Sequence, residues 1–252
     1  MINPMDLTGK LILVTGASSG IGKATAIKIS ELGGQIILVA RNEEKLCETQ
    51  LALNPGCESQ IYPKDLKQID ELEGFIDDIV KKHGKLDGYV HCAGIADMRP
   101  LALTKYDFLH NMMLINYYSF IEISRVYAKK KNNNGGSIIA MSSVESNVGD
   151  KAKTAYCSSK AAINGAIKCM AKELYSKEIR VNSIVAGFIK TVMYQKYIDS
   201  AGMEAFENNV LSRQYAGLGD TDDVANAIAY LLSDAAKFIT GTGFVVDGGY
   251  LS

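Results

Sequence analysis

Short apolar runs rich in β-branched residues alternate along the chain with longer segments of helical periodicity. The runs predict strands at Leu11–Thr15, Ile36–Ala40, Ser59–Tyr62, Gly88–Cys92, Ser137–Ser142, Arg180–Val185 and Gly243–Val246. The segments between them predict helices, including Gly20–Leu32, Ile69–His83, Phe108–Lys130, Tyr156–Ser176 and Thr221–Ser233. This alternation indicates βαβ units, and the nearly continuous apolar strands indicate a parallel sheet covered on both faces. The sequence predicts one α/β domain over residues 1–252, with a doubly wound parallel sheet of about seven strands.

Two segments interrupt the alternation. Asn132–Gly136 is the strongest turn signal and predicts the end of a helix before the Ser137 strand. Thr191–Gly217 carries Met, Tyr and Phe without strand periodicity. Because ligands bind beyond the carboxyl ends of the strands in open α/β sheets, this stretch fits either a substrate lid or a surface helical insertion.

Composition narrows the class of protein. Apolar residues make up 47% of the 252 residues, and the formal net charge of -1 offers no general attraction to nucleic acid or an anionic membrane. The chain starts without an apolar leader, holds no run long enough to span a membrane, and has five cysteines with no C-x-x-C pair. We therefore expect a soluble, cytoplasmic protein with reduced thiols. The three histidines show no metal-binding spacing, so we expect no metal site.

A glycine-rich turn joins the first predicted strand to the first predicted helix. Gly16, Gly20 and Gly22 give a G-x-x-x-G-x-G spacing, with Ser18 and Ser19 as possible hydroxyl donors. Glycines permit a sharp turn close to a pyrophosphate, and the following helix offers free N–H groups and a positive dipole end. A tight connection without a ligand would have the same glycines, but the strand–turn–helix context favours a Rossmann-type dinucleotide site.

The residue after the second strand bears on the choice of cofactor. Arg41 stands there, where an arginine accommodates a 2′-phosphate and an acid would bind the ribose hydroxyls. Glu43 and Glu44 follow, but Asn42 is a typical N-cap and acids in a first helical turn have an ordinary dipole role. The pattern favours NADP(H) over NAD(H), with a solvated surface cation as the alternative reading of Arg41.

Tyr156 and Lys160 are four residues apart and share a helix face. A nearby ammonium favours the phenolate, so the pair suits proton transfer to and from a carbonyl oxygen. Tyr127 and Lys131 repeat the spacing, but only Tyr156 has a serine, Ser143, 13 residues earlier at the end of a strand. The alternative for Tyr156 is a partly buried core tyrosine; the convergence of strand end, serine and lysine favours chemistry.

Together these motifs resemble the short-chain dehydrogenase/reductase family over nearly the whole chain. The matching residues are the turn from Thr15 to Gly22 with Ile21, the pair Asp65-Leu66, the segment Cys92-Ala93-Gly94, the set Asn116, Ser143, Tyr156 and Lys160, and Ala186-Gly187 followed by Ile189 and Thr191. Two positions depart from the family pattern. Cys92 replaces an asparagine and Ala186 replaces a proline.

The resemblance implies a role for each matched residue. Tyr156 would be the general acid in reduction and the base in oxidation, and Lys160 would hold the nicotinamide ribose and lower the pKa of Tyr156. Ser143 would bind the reacting oxygen, and Asn116 would hold a water that links Lys160 to solvent. The glycine turn, Asp65-Leu66, the 92–94 segment, Gly187, Ile189 and Thr191 would contact the cofactor.

The resemblance also implies candidate substrates and partners. Length and Asp247-Gly248-Gly249 look closest to 3-oxoacyl-[acyl-carrier-protein] reductases, but sugar, polyol and steroid dehydrogenases share both features. Asn132–Asn134 stand where carrier-dependent enzymes have a basic residue, although Lys129–Lys131 are near, and this argues against an acyl-carrier partner. A catalytically idle dinucleotide-binding protein is a further alternative. By family analogy we expect a homotetramer, for which the Ala161–Met170 helix and the Phe244–Val246 strand offer apolar contacts.

Overall fold

The computed structural model describes residues 3–252 and centres on one twisted parallel sheet. Within those residues the sheet has seven strands in the order β3-β2-β1-β4-β5-β6-β7, and every neighbouring pair is parallel. The strands are β1 (Leu11–Thr15), β2 (Gln35–Ala40), β3 (Ser59–Pro63), β4 (Leu86–His91), β5 (Asn133–Ser143), β6 (Ile179–Ala186) and β7 (Gly243–Val246). The predicted doubly wound architecture is confirmed.

Helices connect successive strands and cover both faces of the sheet. They are α1 (Gly20–Glu31), α2 (Glu43–Leu51), α3 (Leu72–His83), α4 (Tyr106–Met113), α5 (Ser119–Tyr127), α6 (Glu145–Val148), α7 (Thr154–Leu174), α8 (Val192–Ala201), α9 (Met203–Phe206) and α10 (Thr221–Leu232). Short 3₁₀ helices span Ile69–Glu71, Leu101–Leu103, Tyr175–Lys177 and Asp234–Ala236, and π-helical segments span Leu114–Tyr118 and Glu207–Leu211. In the described part of the chain, no helix is both long and apolar enough to cross a membrane.

The alternating side chains of β1 show how the sheet builds two cores. Leu11 and Leu13 pack into a buried apolar cluster with residues of α3, α5 and α7. Ile12 and Val14, which point to the opposite face, pack into a second cluster with residues of α1 and α10. Because both faces of the strand are buried, all five of its residues are buried, which explains its continuous apolar sequence.

The structure corrects two predicted segments. The predicted turn at 132–136 is largely strand: β5 begins at Asn133, and its first residues pair irregularly with β4, where the register shifts between Leu86 and Gly88. The predicted single helix Phe108–Lys130 is α4 and α5 joined through the π-helical segment Leu114–Tyr118. The π segment is only one turn long, so the apolar residues on its two sides still predict a single helix.

The strand order reverses beside β1, and this places a crevice over the carboxyl ends of the strands. From β1 the chain moves through β2 to β3 and then returns across β1 to β4. Loops that leave β1 and β4 therefore diverge in opposite directions, which is the usual place of a ligand in such sheets.

Candidate active site

A cavity of about 1100 Å³ lies over the carboxyl ends of β1, β2, β4, β5 and β6. Its lining includes the residues that follow those ends, among them Gly16, Arg41, Cys92, Ser143 and Gly187. Every residue predicted to bind cofactor or take part in catalysis lines this cavity except Asn116, which is fully buried behind its wall. The structure thus brings together residues that are up to 175 positions apart, from Gly16 to Thr191.

The glycine turn is shaped so that its backbone lies open to the cavity. Gly16 has φ +67, and a Cβ on it would lie 2.7 Å from the Ala93 nitrogen. A Cβ on Gly22 would run into the Gly16 carbonyl oxygen, so the helix start packs directly on the turn. Ser19 is the N-cap of α1, is extended, and makes no side-chain cap bond. The first N–H groups of α1 are therefore available to an anion such as a pyrophosphate.

Basic side chains gather where β2 ends. Arg41 and Lys45 line the cavity with Lys64, whose backbone nitrogen donates to the Ala40 carbonyl oxygen at 2.9 Å. Lys64 is also ion-paired with Glu71, whereas Arg41 is exposed. Asn42 caps α2 by accepting from the Lys45 nitrogen at 2.8 Å, as the sequence predicts. The sequence predicts only Arg41 at this corner; Lys45 follows it by one turn on α2, and Lys64 reaches it through the pairing of β2 with β3.

Three predicted cofactor contacts line the adjoining walls of the cavity. Asp65 fixes its own turn by accepting from the Lys67 nitrogen at 3.0 Å, and Leu66 is buried beneath it. Ile189 is buried in the core cluster that contains α1 and α10. Their backbones and side chains are thus held in place by packing, and all three remain at the cavity wall.

Cys92 departs from the family pattern without disturbing the local backbone. Its nitrogen donates to the Thr15 carbonyl oxygen at 3.2 Å, and the Ala93 nitrogen donates to the Thr15 hydroxyl at 3.4 Å. Burial raises the pKa of the Cys92 thiol to about 12, so it stays protonated and behaves as a small apolar side chain. An interaction with the buried Thr25 hydroxyl acts against this rise in the pKa of the thiol.

Asn116 sits in the π-helical segment and binds three groups at once. Its Oδ1 accepts from the Ile95 nitrogen at 2.8 Å, and its Nδ2 donates to the Ile95 carbonyl oxygen at 3.0 Å and to the Ser159 hydroxyl at 2.9 Å. Ser159 in turn donates to the Tyr156 carbonyl oxygen at 2.8 Å. The π turn lets Asn116 point at both the loop after β4 and the helix that carries Tyr156. In this structure Asn116 therefore acts as a clamp between two walls of the cavity.

Ser143 and Tyr156 meet at the end of β5. Ser143 is the last residue of the strand, and Tyr156 is in the first turn of α7, with 9% of its surface exposed. Burial raises the pKa of the Tyr156 phenol above its usual value, the Glu145 carboxylate raises it further, and a hydrogen bond with Ser143 acts in the opposite direction. The phenol is therefore held in its protonated form, ready to donate to an oxygen placed beside Ser143.

Lys160 is buried one turn further along α7. Its Nζ donates to the Met141 carbonyl oxygen at 2.7 Å and lies 5.8 Å from the centroid of the Tyr156 ring. Burial lowers the pKa of Lys160 to about 8. In this geometry the pKa of Tyr156 is set by burial rather than by Lys160, which differs from the expectation of a phenol made more acidic by its lysine.

The loop after β6 completes the cavity. A Cβ on Gly187 would lie 2.5 Å from Gln214 Oε1, so glycine is needed where the loop passes this side chain. Buried Gln214 accepts from the Phe188 nitrogen at 2.9 Å and donates to the Phe188 oxygen at 3.0 Å. Thr191 caps α8, and its Cγ2 would be 3.4 Å from a Cβ on Gly20, so α8 begins directly over the glycine turn. The sequence does not predict the contact of Gln214 with Phe188, because no known motif joins the two positions.

A buried ion pair, also missed, lines the cavity next to Tyr156. Lys153 donates to Glu145 Oε1, and both side chains are more than nine-tenths buried. Asp150 Oδ2 lies 3.2 Å from the same ammonium. Glu145 is two residues after Ser143 and Lys153 is three before Tyr156, so proximity to both was the signal that the sequence offered.

The histidines lie outside this chemistry. His91 is fully buried, its Nδ1 lies 2.7 Å from the Tyr89 hydroxyl and 3.1 Å from the Thr15 hydroxyl, and burial lowers its pKa to about 3. His83 bonds the Tyr62 hydroxyl at 2.7 Å. Among residues 3–252, no group of three or more His, Cys, Asp or Glu side chains is placed to hold a metal ion.

Comparison with known proteins identifies the relatives of this chain. A family model described as enoyl-(acyl carrier protein) reductase matches residues 16–251. The 3-oxoacyl-[acyl-carrier-protein] reductase FabG of Thermotoga maritima is 33% identical over 250 residues, which cover 97% of this chain and 99% of the relative. The match therefore spans almost the full length of both this chain and the Thermotoga relative.

Two solved structures of dehydrogenases have the same fold as this chain over almost its full length. A putative short-chain alcohol dehydrogenase from Sinorhizobium meliloti superposes with a TM-score of 0.92 at 28% identity, and 99% of each chain is covered. A putative 2-deoxy-D-gluconate 3-dehydrogenase from Agrobacterium tumefaciens, solved with bound NADP, superposes with a TM-score of 0.87 at 27% identity, again with 99% of each chain covered.

Proposed function

This chain belongs to the short-chain dehydrogenase/reductase family, and from that premise we propose that it moves a hydride between NADP(H) and a carbonyl or secondary alcohol, with Tyr156 as the proton-transfer residue. It is an oxidoreductase that acts on CH–OH or C=O groups and uses a nicotinamide dinucleotide. The observation that carries the proposal is the meeting of Ser143 and buried Tyr156 at one end of a cavity whose other end is the glycine turn.

The residues that would hold the dinucleotide all line the cavity. The pyrophosphate would lie against the Gly16–Gly22 turn, because this turn lines the cavity and the first N–H groups of α1 lack a side-chain cap. Side chains at Gly16 and Gly22 would run into neighbouring backbone, so both glycines are needed to form the turn. Asp65 and Leu66 would flank the adenine, and the 92–94 segment, Gly187, Ile189 and Thr191 would line the rest of the path. When bound, the nicotinamide supplies the hydride in reduction and accepts it in oxidation.

The protein's own contribution is to position the substrate oxygen and to move one proton. In reduction, the Tyr156 O–H bond breaks and its proton goes to the carbonyl oxygen; in oxidation, the phenolate takes the alcohol proton back. The Ser143 hydroxyl holds the same oxygen. Lys160 would hold the nicotinamide ribose and, by turning its ammonium toward the site, would favour the phenolate. Asn116 holds the Ile95 loop and α7 in register, and would carry the water that links Lys160 to solvent.

The preference for NADP(H) rests on charge. Arg41 is exposed at the cavity rim beside Lys45, and no carboxylate follows β2 until Glu43 and Glu44, which belong to the first turn of α2. A 2′-phosphate carries negative charge that such cations stabilise, whereas a ribose diol would favour an acid at this position. The Agrobacterium neighbour with bound NADP supports the same choice.

Turnover with a carbonyl panel tests the proposed function. We expect NADPH oxidation in the presence of ketones, aldehydes or 3-oxoacyl thioesters, with NADH used less efficiently. If NADPH binds but no carbonyl supports its oxidation, and no alcohol supports reduction of NADP, the alternative of a catalytically idle dinucleotide-binding protein would take its place.

Three substrate classes compete. The Thermotoga relative is a 3-oxoacyl-[acyl-carrier-protein] reductase, which favours a 3-oxoacyl thioester. The Agrobacterium neighbour is described as a gluconate-type dehydrogenase, which favours a sugar or polyol, and steroids are a further class that the family accepts. The charges before β5 do not single out a carrier-protein partner: Lys129 and Lys131 are ion-paired with Glu73 and Asp77, whereas Lys130 between them is exposed.

The segment 191–217 would form the substrate lid of a single domain spanning residues 1–252. It is helical, as a surface insertion would be, but Val192, Met193, Tyr194 and Tyr197 line the cavity. A lid must contact the site and remain separable from the sheet. Limited proteolysis with and without NADP tests this, because protection of the segment by cofactor is expected of a lid and not of a remote insertion.

A homotetramer in the cytoplasm is the assembly we propose by family analogy. The edge strand β7 leaves Val245 half-exposed, and Phe238 nearby is fully exposed, so a partner subunit would bury apolar surface there. All five cysteines are free thiols, as a reducing compartment maintains them. Light scattering on the purified protein measures the oligomeric state directly.

A further inference from the structure

The buried pair of Glu145 and Lys153 neither transfers the proton nor holds the cofactor in the proposed function, and Glu145 acts there only through its carboxylate, which raises the pKa of Tyr156. Both residues line the cavity within one turn of the reacting groups: Glu145 donates from its backbone nitrogen to Ser143 Oγ at 3.2 Å, and Lys153 is the N-cap residue of the helix that carries Tyr156. Replacing such a pair by apolar residues is often neutral or stabilising, so stability alone is a weak reason for its presence.

The pair leaves hydrogen-bonding capacity on the cavity side. Lys153 bonds Glu145 through Oε1, and no hydrogen bond to Oε2 is found in the described part of the chain. Aromatic rings rather than aliphatic side chains close over the ammonium: its nitrogen lies 4.5 Å from the centroid of Tyr197 and 5.5 Å from that of Phe188. The wall beside Tyr156 is thus a polar, charged surface framed by rings from the loop after β6 and from α8.

The chemistry of this wall discriminates between substrate classes. An alkyl chain placed against it would bury an ion pair without supplying a hydrogen bond, and burying an unsatisfied polar group is unfavourable. A hydroxyl next to the reacting carbon would donate to the free carboxylate oxygen and accept from the ammonium. Sites built to bind a substrate hydroxyl reject analogues that lack it. Lys153 is neutralised by Glu145 and Asp150, so the wall is unsuited to capture an anion by charge alone.

We propose that Glu145 and Lys153 are specificity-determining residues that hydrogen-bond hydroxyl groups beside the reacting carbonyl, so that the substrate is a polyhydroxylated ketone or aldehyde rather than a 3-oxoacyl thioester. This inference rests on the proposed function, whose site it extends. It selects the sugar and polyol class from the candidates.

The test compares matched carbonyl probes on the wild type and a double variant. L-Erythrulose and butan-2-one share a carbon skeleton and differ in hydroxyls; D-fructose with hexan-2-one forms a second pair, and acetoacetyl-N-acetylcysteamine represents 3-oxoacyl thioesters. The variant Glu145→Leu/Lys153→Met removes both charges together, which avoids leaving one buried and unpaired. Lys28→Met/Glu31→Leu is the matched control, since that exposed pair on α1 lies outside the cavity.

We expect the wild type to favour a hydroxylated probe over its deoxygenated partner by about a hundredfold or more in kcat/KM, and the double variant to lose at least about tenfold of that ratio. The control should keep the ratio, and thermal unfolding should show both variants folded. A wild type that prefers the thioester or the alkanone, or a ratio unchanged in the double variant, would overturn the proposal while leaving the oxidoreductase function intact.

If no probe is turned over, ligand-observed NMR with NADP-loaded protein decides the point. Erythritol should then bind the wild type more tightly than butane-2,3-diol, and the double variant should abolish that difference. Equal binding in both proteins would contradict the proposal even where the proposed function had itself failed.

Discussion

The ammonium of Lys160 donates to the carbonyl oxygen of Met141 at 2.7 Å, and this bond ties the middle of α7 to the end of β5. Met141 is in the strand that ends at Ser143, and Lys160 is on the helix that begins just before Tyr156. The bond therefore fixes the relative position of the elements that carry the two polar groups at the reacting oxygen. It also keeps the lysine buried, and burial lowers its pKa to about 8.

This burial predicts a specific dependence of stability on pH. Because the pKa of Lys160 is about 8 when folded and 10.5 in its ordinary state, the unfolded chain binds more protons between these values. The contribution of Lys160 to stability is thus complete above about pH 10.5 and is lost as the pH falls through about 8. Across this window we expect the wild type to gain on the order of 1 kcal/mol per pH unit relative to Lys160→Met.

Urea unfolding of both proteins at about pH 7.5 and about pH 9.5 measures the gain, since other titrating groups cancel in the difference. Parallel pH profiles for the two proteins would mean that Lys160 is not desolvated in the folded state.

Two Gly→Ala changes, one in the glycine turn and one on α3, should have opposite effects on stability. In Gly16→Ala the new methyl group would meet the Cys92–Ala93 backbone, and φ +67 is unfavourable for alanine. We expect a loss of about 1–3 kcal/mol in stability and weaker dinucleotide binding. Gly74→Ala on α3 meets no atom within 4 Å and should stabilise by up to about 1 kcal/mol. Thermal unfolding with and without NADP distinguishes them; equal effects of both changes would remove the special role of Gly16.

Cofactor preference should depend on Arg41. Loss of a charge-assisted bond to a 2′-phosphate is worth about 1.5–3 kcal/mol, so Arg41→Ala should raise the Kd of NADPH by about 10- to 100-fold and leave that of NADH nearly unchanged. Arg125→Ala is the matched control, because Arg125 pairs with Glu122 and Glu73 on the surface away from the cavity. Fluorescence titration of the wild type and both variants measures the Kd of each cofactor. An Arg41→Ala protein with the wild-type ratio would show that the arginine is a solvated surface cation.

How much the sequence reveals depends on whether the interacting residues are close along the chain. The alternation of strands and helices, the turn from Gly16 to Gly22 and the Tyr156–Lys160 spacing are local patterns, and the structure places them as predicted. The clamp of Asn116 on Ile95 depends on a π turn, which periodicity conceals. Lys64 reaches the cavity through the pairing of β2 with β3, and Gln214 reaches the loop after β6 through tertiary packing, and no spacing rule predicts either contact. Glu145 and Lys153 are close in sequence to Ser143 and Tyr156, but their ion pair with each other follows from the fold.

The strand start at Asn133 has a similar explanation. Its side chain donates to the Tyr127 oxygen at 2.7 Å and to the Lys129 oxygen at 3.0 Å, so it binds the end of the preceding helix while its backbone already pairs with β4. Asparagines and glycines in sequence indicate a turn. Here the same residues end a helix and begin a strand. Only their pairing with β4 distinguishes this strand start from a turn.

The central claim is that Tyr156 transfers the proton, and the most direct measurement is NADPH-dependent turnover by Tyr156→Phe beside Tyr127→Phe. Tyr127 has the same spacing to a lysine, but its hydroxyl donates to the Gly135 oxygen at 2.5 Å in the core. Tyr156→Phe should lower kcat by about 10²- to 10⁴-fold while still binding NADPH. Tyr127→Phe should lose about 1 kcal/mol of stability and keep its turnover. Full turnover by Tyr156→Phe would contradict the account.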